Sequence, residues 1–233
     1  MGGESPHRPG APKPGLRAIT LVGERTATSI GPRNGTHGPG DTSRPRHDHL
    51  YRQLPRRGTA PVLIRPATPS DTAALGRLGG LLVRQHHAWD PARFIPAEPE
   101  TDHWYGVFLA SQLDRPDVVI LVAERDGRVI GFVYAGLEDT DWMALRGPAG
   151  ALYDLVVDPD HRRGGVGRTL LAAALTALAR LGAPRVVLST AERNEAAQRL
   201  FLGAGFRPTM REMTRELGGD APGAGLDDPG TPP

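Results

Sequence analysis

The chain of 233 residues contains no cysteine, and its only lysine is Lys13. Without thiols it can form no disulfide, use no cysteine nucleophile and hold no cysteine-ligated zinc. No apolar run reaches the roughly 18 residues that a membrane-spanning helix needs, and the N-terminus lacks the apolar core of a signal peptide. No His, Asp or Glu spacing resembles a metal site. These absences predict a cytoplasmic protein with no bound metal and no membrane partner.

Glycine and proline are concentrated at the two ends of the chain. Residues 1–60 contain 10 glycines and 8 prolines, and residues 218–233 contain nine residues of these two types. Such a composition is typical of disordered segments. We therefore expect a disordered arm over residues 1–60, one folded domain over residues 61–217 and a disordered tail over residues 218–233.

The arm is also basic, with a net charge of +6 against −4 for the rest of the chain. A basic arm can bind nucleic acid. Its arginines are scattered, however, and Tyr51 is its only aromatic residue, whereas stacking on bases needs aromatic side chains. Nucleic acid is therefore not the expected partner, and binding through this arm stays an alternative hypothesis.

The apolar pattern of the central segment predicts a series of strands and helices. Strands are expected at Val62–Arg65, Val118–Glu124, Val129–Leu137, Ala151–Val157 and Arg185–Ser189, with one or two more over Phe206–Leu217. Helices are expected from Thr68 to the His86-His87 pair, over Thr101–Leu113 with Trp104, Phe108 and Leu109 inward, after Gly167 and after the capping residue Asn194. Asp126-Gly127 indicates a tight hairpin. The order predicts an α/β (α+β) fold with a mixed sheet and helices on both faces.

The stretch after the fourth of these strands carries the clearest chemical signal. Asp158-Pro159 ends the strand, and three glycines follow within Gly164–Gly167, directly before a helical pattern. Glycines allow the main chain to approach a ligand closely, and the first N–H groups of a helix have no partner inside it. A glycine turn at a helix start is therefore an anion site suited to phosphate, and Arg162, Arg163 and Arg168 add positive charge.

Two common phosphate motifs do not fit this stretch. A P-loop needs a Gly-Lys-Ser/Thr ending, and here Arg168-Thr169 follows at another spacing without lysine. A dinucleotide fingerprint needs a third glycine, whereas Leu170 stands at that place. The remaining pattern is Arg162-x-x-Gly165-x-Gly167.

This pattern resembles the coenzyme A pyrophosphate loop of the GNAT superfamily of N-acetyltransferases. A second segment, from Asn194 to Phe206, is similar to the family's Asn-x-x-Ala-x-x-Leu-Tyr-x-x-x-Gly-Phe motif, and it lies in the expected helix. The order of elements over residues 61–217 is also that of the family. The resemblance implies a mixed, largely antiparallel central sheet, with acetyl-CoA as the co-substrate.

The resemblance also assigns roles to individual residues. The main chain of Leu155 and Val157 would pair with the pantetheine arm, and the N–H groups from Arg163 to Arg168 would hold the pyrophosphate. Asn194 would contact the pantetheine, and Phe201 would border the thioester. The implied cofactor-binding set is Leu155, Val157, Arg162, Arg163, Gly164, Gly165, Val166, Gly167, Arg168, Asn194 and Phe201.

The sequence departs from the family at Phe201, where tyrosine commonly protonates the departing thiolate. Phenylalanine has no proton to give, although a thiolate with a free pKa of about 8.5 is a fair leaving group. The candidate catalytic residues are Tyr153, Asp154 and Glu138. Tyr153 and Asp154 are expected on opposite faces of their strand because side chains alternate, so that only one of them would face the substrate.

Other polar residues near this site are expected to be solvated. Glu138, Asp139 and Asp141 form an acidic loop, and we interpret two of these three residues as solvated surface residues. His86 and His87 are interpreted as a solvent-facing helix end, and His161 as a surface turn residue.

The leading functional hypothesis is an acetyl-CoA-dependent N-acetyltransferase in which a primary amine attacks the thioester directly. A covalent intermediate is not expected, since the chain has no cysteine and no Ser-His pair at a recognisable spacing. The acceptor would be a small-molecule or peptide amine, and a homodimer is left open. The alternative is a non-catalytic acyl-CoA-binding regulatory protein, motivated by Phe201.

Overall fold

The computed structural model describes residues 60–217 and the two-residue strand β1, Ala18–Ile19. Apart from β1, the predicted arm and the predicted tail lie outside the described residues, so both stay predictions. The further strands are β2 (Leu63–Pro66), β3 (Val118–Arg125), β4 (Arg128–Glu138), β5 (Ala149–Val157) and β6 (Val186–Thr190). The α-helices are α1 (Thr72–Trp89), α2 (Thr101–Ala110), α3 (Val166–Arg180) and α4 (Glu195–Gly203).

The strands form one sheet in the order β1-β6-β5-β4-β3-β2. The pairs from β2 to β5 are antiparallel, whereas β6 runs parallel to β5. The parallel pair follows from the β5-α3-β6 crossover, since a helix must return the chain to the same end of the sheet. The predicted mixed, largely antiparallel sheet is therefore confirmed.

Two apolar cores lie on the two faces of the sheet. One contains Leu170, Leu171 and Leu178 of α3 with Phe201 of α4, and the other contains Leu75 and Leu78 of α1 with Leu109 of α2, Phe132 and Tyr134. Side chains alternate between the two faces of the sheet along β4 and β5. Every residue of β5 is buried, so both faces of this strand are covered. Helices therefore cover both faces, as the sequence predicts.

Local turn chemistry agrees with the sequence, but the predicted orientation of Trp104 and the strands predicted after the last helix are wrong. Asp126 and Gly127 adopt φ angles of 50° and 71° in the β3–β4 hairpin, as a tight turn requires. Trp104, expected inward, is 63% exposed, and its neighbour Tyr105 faces the core instead. Within the described part of the chain no strand forms after α4, so the strands expected over Phe206–Leu217 are absent there.

A buried carboxylate ties the start of α1 to the edge of the sheet. Asp71 accepts hydrogen bonds from Arg65 Nη1 at 2.7 Å and from the Thr68 main-chain N–H at 2.8 Å. Arg65 also contacts Glu124 of β3 at 2.7 Å. The bond from Arg65 outweighs the cost of burial and lowers the pKa of Asp71 from 3.8 to about 2.

We expect Asp71→Asn to lower the free energy of unfolding at pH 7 by about 2 kcal/mol, from the conversion of the pKa difference. Because folding lowers this pKa, the stabilisation is complete above the unfolded value near 3.8 and is lost as the pH falls through about 2. Urea melts of both proteins should therefore converge toward pH 2. The matched control is Asp117→Asn, whose partner Arg115 is exposed and which should change stability by less than about 1 kcal/mol. A stability gap at Asp71 that does not depend on pH would contradict this role.

Candidate active site

The glycine loop leaves β5 through a short 3-10 turn, Pro159–His161, and enters α3 at Val166. Arg163 and Gly165 have φ angles of 61° and 82°, the left-handed conformation that turns the chain sharply. No side chain caps the start of α3. A Cβ placed on Gly165 would meet no atom of the described chain within 4 Å. The loop therefore presents an open main chain and unsatisfied helix N–H groups, which is the geometry that binds a phosphate.

The three arginines of the loop differ in their surroundings. Arg163 and Arg168 are exposed, whereas Arg162 is partly buried and donates from Nε to the Val157 carbonyl at 3.0 Å. Burial lowers the pKa of Arg162 to about 10, against the opposing charges of Asp158 and Asp160, so its guanidinium stays charged at neutral pH. Its Nη2 atom is buried with no hydrogen-bond partner in the described structure. An unsatisfied cationic donor beside the loop also fits an anionic ligand.

Helix α1 holds the beginning of the loop in place. Arg77 donates from Nη1 to Asp158 at 2.8 Å and from Nη2 to the Val129 carbonyl at 3.3 Å. Asp158 in turn accepts from the Asp160 N–H at 3.2 Å. Burial acts to raise the pKa of Asp158, but Arg77 and the Asp160 N–H hold it below its usual value. The loop is thus anchored at its first residue and open at its glycines.

A cleft opens where β5 and β6 separate. Their last pair is Leu152↔Leu188, although β5 continues to Val157 and β6 to Thr190. The Asp158 N–H donates to Ile130 of β4 at 2.8 Å, so alternation directs the main-chain groups of Val157 and Leu155 to the cleft side. Strand β1 pairs with the end of β6 beyond this separation. The main-chain groups of Leu155 and Val157 therefore point away from β4, to the side where β6 has separated from β5 and β1 comes near β5.

A β-bulge lies where β5 and β6 begin to separate. Tyr134 pairs with Asp154 and Ala135 pairs with Leu152, so that Tyr153 is the extra residue of β5. The prediction that Tyr153 and Asp154 lie on opposite faces is wrong, because the bulge interrupts the alternation. Tyr153 packs on Tyr134 with ring centroids 4.7 Å apart. Asp154 accepts from the Tyr105 hydroxyl of α2 at 2.6 Å, so both side chains face α1 and α2.

The predicted catalytic carboxylates lie in different environments. Asp154 is 1% exposed and lies two residues beyond the last β5–β6 pair. Glu138, at the end of β4, accepts from Arg146 at 2.5 Å. Burial raises the pKa of Tyr153, and the charge of Glu138 and a hydrogen bond to it add to the effect. Glu138 is therefore held by two neighbours, whereas Asp154 is buried next to the point at which β5 and β6 begin to separate.

The other acidic-loop residues and the histidines have structural contacts. Asp141 accepts from the main-chain N–H groups of Met143 and Ala144, both at 3.0 Å, and Asp139 is exposed as expected. The expectation of a solvent-facing His86 is wrong, since this side chain is buried and its Nδ1 bonds to the Leu82 carbonyl at 3.0 Å. Burial lowers the pKa of His86, so it is neutral at pH 7.

Helix α4 packs into the core on the face of the sheet opposite α1 and α2. Asn194 is buried and caps the helix by accepting from the Ala197 N–H at 3.2 Å, as predicted. Phe201 is 3% exposed and packs edge-on against Phe206 at 5.8 Å between ring centroids. A polar pocket of about 220 Å³ lies between the end of α1 and the start of α4, and its lining includes Trp89 and Asn194. The pocket therefore adjoins one of the predicted cofactor contacts.

Sequence reasoning missed the bulge and Tyr105. The signal for Tyr105 was the pair of glycines Gly76 and Gly79 in α1, which lie one turn apart and allow a second helix to approach. Among the described residues no group of three side chains could hold a metal ion. No helix in that part of the chain is long and apolar enough to cross a membrane.

Residues 83–206 match a protein-family model described as "Acetyltransferase (GNAT) family". Curated relatives include mycothiol acetyltransferases from Thermobispora bispora, 35% identical over 142 residues (57% of this chain and 46% of the relative), and from Salinispora tropica, 30% identical over 173 residues (71% and 54%). The chain thus spans about half the length of the curated relatives it matches.

Solved structures share the fold. A mutant protein from Bacillus halodurans superimposes with a TM-score of 0.59 at 20% identity, covering 66% of this chain and 99% of that one. AAC(6′)-Iy in complex with a CoA-containing bisubstrate analogue superimposes with a TM-score of 0.51 at 19% identity, covering 68% and 99%. Because the family match covers more than half of the chain and includes the glycine loop and α4, this chain belongs to the GNAT acetyltransferase family, and the resemblance found in its sequence motifs is confirmed.

Proposed function

We propose that this protein transfers the acetyl group of acetyl-CoA to the primary amine of a small molecule by direct attack. The observation that carries the proposal is the alignment of three features along β5: the Asp154 carboxylate, the main-chain edge of Leu155 and Val157 beyond the pairing with β6, and the uncapped start of α3. An extended thioester with a terminal pyrophosphate has the same order of chemical groups.

The cofactor contacts follow from this alignment. The N–H groups from Arg163 to Arg168 bind the pyrophosphate oxygens, with Arg163 and Arg168 supplying charge from the exposed side. The main chain of Leu155 and Val157 pairs with the pantetheine amides. The Val157 carbonyl already accepts from Arg162, so its N–H group is the one that Val157 offers. Asn194 and Phe201 close the α4 side of the cleft.

Asp154 serves as the base in this proposal. An ammonium acceptor gives one proton to the Asp154 carboxylate, and the free amine then attacks the thioester carbonyl, forming the C–N bond. The C–S bond breaks and the sulfur leaves as thiolate. The second nitrogen proton passes through water to the thiolate, giving CoA thiol and amide, and the proton on Asp154 returns to solvent. Strand main-chain N–H groups at the bulge stabilise the developing oxyanion.

Tyr153 and Glu138 form the wall of the acceptor side rather than the acid–base pair. Tyr153 holds its proton at neutral pH because burial raises its pKa, and its hydroxyl is engaged with Glu138. Glu138 is paired with Arg146, whose side chain is only 12% exposed. Both residues therefore shape the site without exchanging protons during turnover.

The acceptor is proposed to be a mycothiol-related amine. Support comes from the name of the relatives, mycothiol acetyltransferase, over matches of 142 and 173 residues. A carboxylate at the cleft favours a cationic acceptor. The relatives are about twice as long as the matched region, so this assignment concerns the acetyl-transfer site alone.

The test is release of CoA thiol from acetyl-CoA with a panel of amines: a mycothiol-related amine, an aminoglycoside, a polyamine and a peptide N-terminus. We expect saturable turnover with the first and at least tenfold lower kcat/KM with the others. Calorimetric binding of CoA without turnover on any amine would favour the alternative, a non-catalytic acyl-CoA-binding protein. Absence of CoA binding would overturn both.

Phe201→Tyr tests how the thiolate leaves. If no side chain protonates the sulfur in this protein, the added hydroxyl should leave kcat unchanged or raise it up to tenfold, with CoA affinity within twofold. Steady-state kinetics with a melting curve measures both. Because Phe201 is buried against Phe206, a hydroxyl without a partner would instead cost about 1–3 kcal/mol of stability. A correctly folded mutant with kcat reduced a hundredfold would contradict the proposal that Phe201 lies beside the thioester sulfur, where tyrosine commonly stands in the family.

A further inference from the structure

Helix α2 contacts the proposed base directly. The Tyr105 hydroxyl donates to Asp154 Oδ2 at 2.6 Å, a short distance typical of an O–H donor on a carboxylate. Asp154 is 1% exposed, and the bulge turns its side chain away from α3 and toward this hydroxyl. The orientation of the carboxylate is therefore set by α2 as well as by its own strand.

Three glycines explain how α2 comes close enough. A Cβ on Gly76 would lie 2.1 Å from the Asp102 carbonyl oxygen, and a Cβ on Gly106 would lie 2.5 Å from the Thr72 carbonyl oxygen. The backbones of α1 and α2 are therefore in contact at glycines, where no Cβ atom keeps them apart. A Cβ on Gly79 would lie 2.1 Å from Cδ1 of Tyr105, so the ring lies flat over that glycine.

The remaining contacts of Tyr105 hold its ring in one orientation. Phe108, one turn along α2, meets the Tyr105 ring edge-on with centroids 6.5 Å apart, and Phe108 in turn meets Tyr134 at 5.9 Å. Partly buried aromatic rings that pack against other rings have few alternative rotamers. The glycines of α1 and the aromatic residues of α2 therefore fix the point in space at which the hydroxyl is presented.

We propose that Tyr105 is a positioning residue of acetyl transfer, which holds the Asp154 carboxylate in the orientation in which it takes the proton of the acceptor amine. The proposal rests on the assignment of Asp154 as the base. Tyr105 touches neither the thioester nor the amine in this role. Its contribution is the removal of rotational freedom from a group that must lie within hydrogen-bond distance of the nitrogen.

The first variant is Tyr105→Phe, which keeps the ring over Gly79 and removes only the hydroxyl. We expect kcat to fall about tenfold, with KM for acetyl-CoA within twofold and an unchanged fold by melting curve. The second variant, Gly79→Ala, moves the ring while keeping the hydroxyl, and should lower kcat similarly.

Gly203→Ala is the matched control, since a Cβ there meets no described atom within 4 Å. Arg84→Gln removes another α1–α2 contact, the 2.8 Å bond to Asp102, and should leave kcat unchanged.

A double-mutant cycle separates positioning from a general effect on the fold. If Tyr105 acts through Asp154, Tyr105→Phe should cause less than a twofold further loss in an Asp154→Asn background. A tenfold loss that persists in that background, or wild-type kcat in the single Tyr105→Phe variant while Asp154→Asn is impaired, would overturn the proposal and leave the base assignment standing. Wild-type kcat in Asp154→Asn alone would reject the base assignment, and the positioning role with it. An equal loss in Arg84→Gln would make the effect one of helix packing.

Discussion

Gly167→Asp is expected to abolish CoA binding while preserving the fold. Gly167 is the second residue of α3, and a carboxylate there would lie among the N–H groups proposed to hold the pyrophosphate. The negative charges of the aspartate and the pyrophosphate would repel each other, and the aspartate carboxylate can itself accept hydrogen bonds from the helix N–H groups. Gly167 does not have a positive φ, in contrast with Gly165, so the substitution introduces no left-handed strain. An acidic residue in the first turn in fact favours the helix.

The measurement is calorimetric titration with CoA. We expect at least a hundredfold weaker Kd, which corresponds to about 3 kcal/mol, together with a melting temperature no lower than that of the wild type. Gly167→Ala is the matched control, because it adds a Cβ without charge, and its affinity should lie between the two. Wild-type affinity in a folded Gly167→Asp protein would show that the pyrophosphate binds elsewhere.

The glycine loop could be predicted from sequence because its chemistry is local. Three glycines, an uncapped helix start and the preceding Asp158-Pro159 specify an open main chain wherever the segment lies in the fold. The Asp126-Gly127 hairpin and the Asn194 cap were predictable for the same reason, since each depends on residues at most three positions apart. These predictions required no knowledge of tertiary contacts.

The features that were missed depend on pairing between distant residues. The bulge at Tyr153 exists only in the register of β5 against β4, and simple alternation therefore placed Tyr153 and Asp154 on opposite faces. Trp104 was predicted inward on hydrophobicity, but the glycines of α1 give room to Tyr105 instead. The pairing of Glu138 with Arg146, eight residues away across a loop, was likewise not predicted from the sequence.

Asp154→Asn is expected to lower kcat by about 10²–10³-fold, within the range that general base catalysis contributes. Asparagine has nearly the same shape, and its side-chain oxygen can still accept from the Tyr105 hydroxyl, so the bulge and the contact to α2 should survive. The amide cannot take a proton from an ammonium acceptor. Stability should not fall, because the substitution removes a charge from a site that is 1% exposed.

Two comparisons make this result specific to Asp154. Glu138→Gln changes the other candidate carboxylate, and because Glu138 is held by Arg146 and Tyr153 we expect a loss of less than tenfold in kcat. Asp139→Asn changes an exposed carboxylate of the same loop and should have no effect. CoA affinity by calorimetry should be unchanged in all three, since the glycine loop is untouched. A larger loss in Glu138→Gln than in Asp154→Asn would transfer the role of base to Glu138, which would require the Arg146 pair to open during turnover.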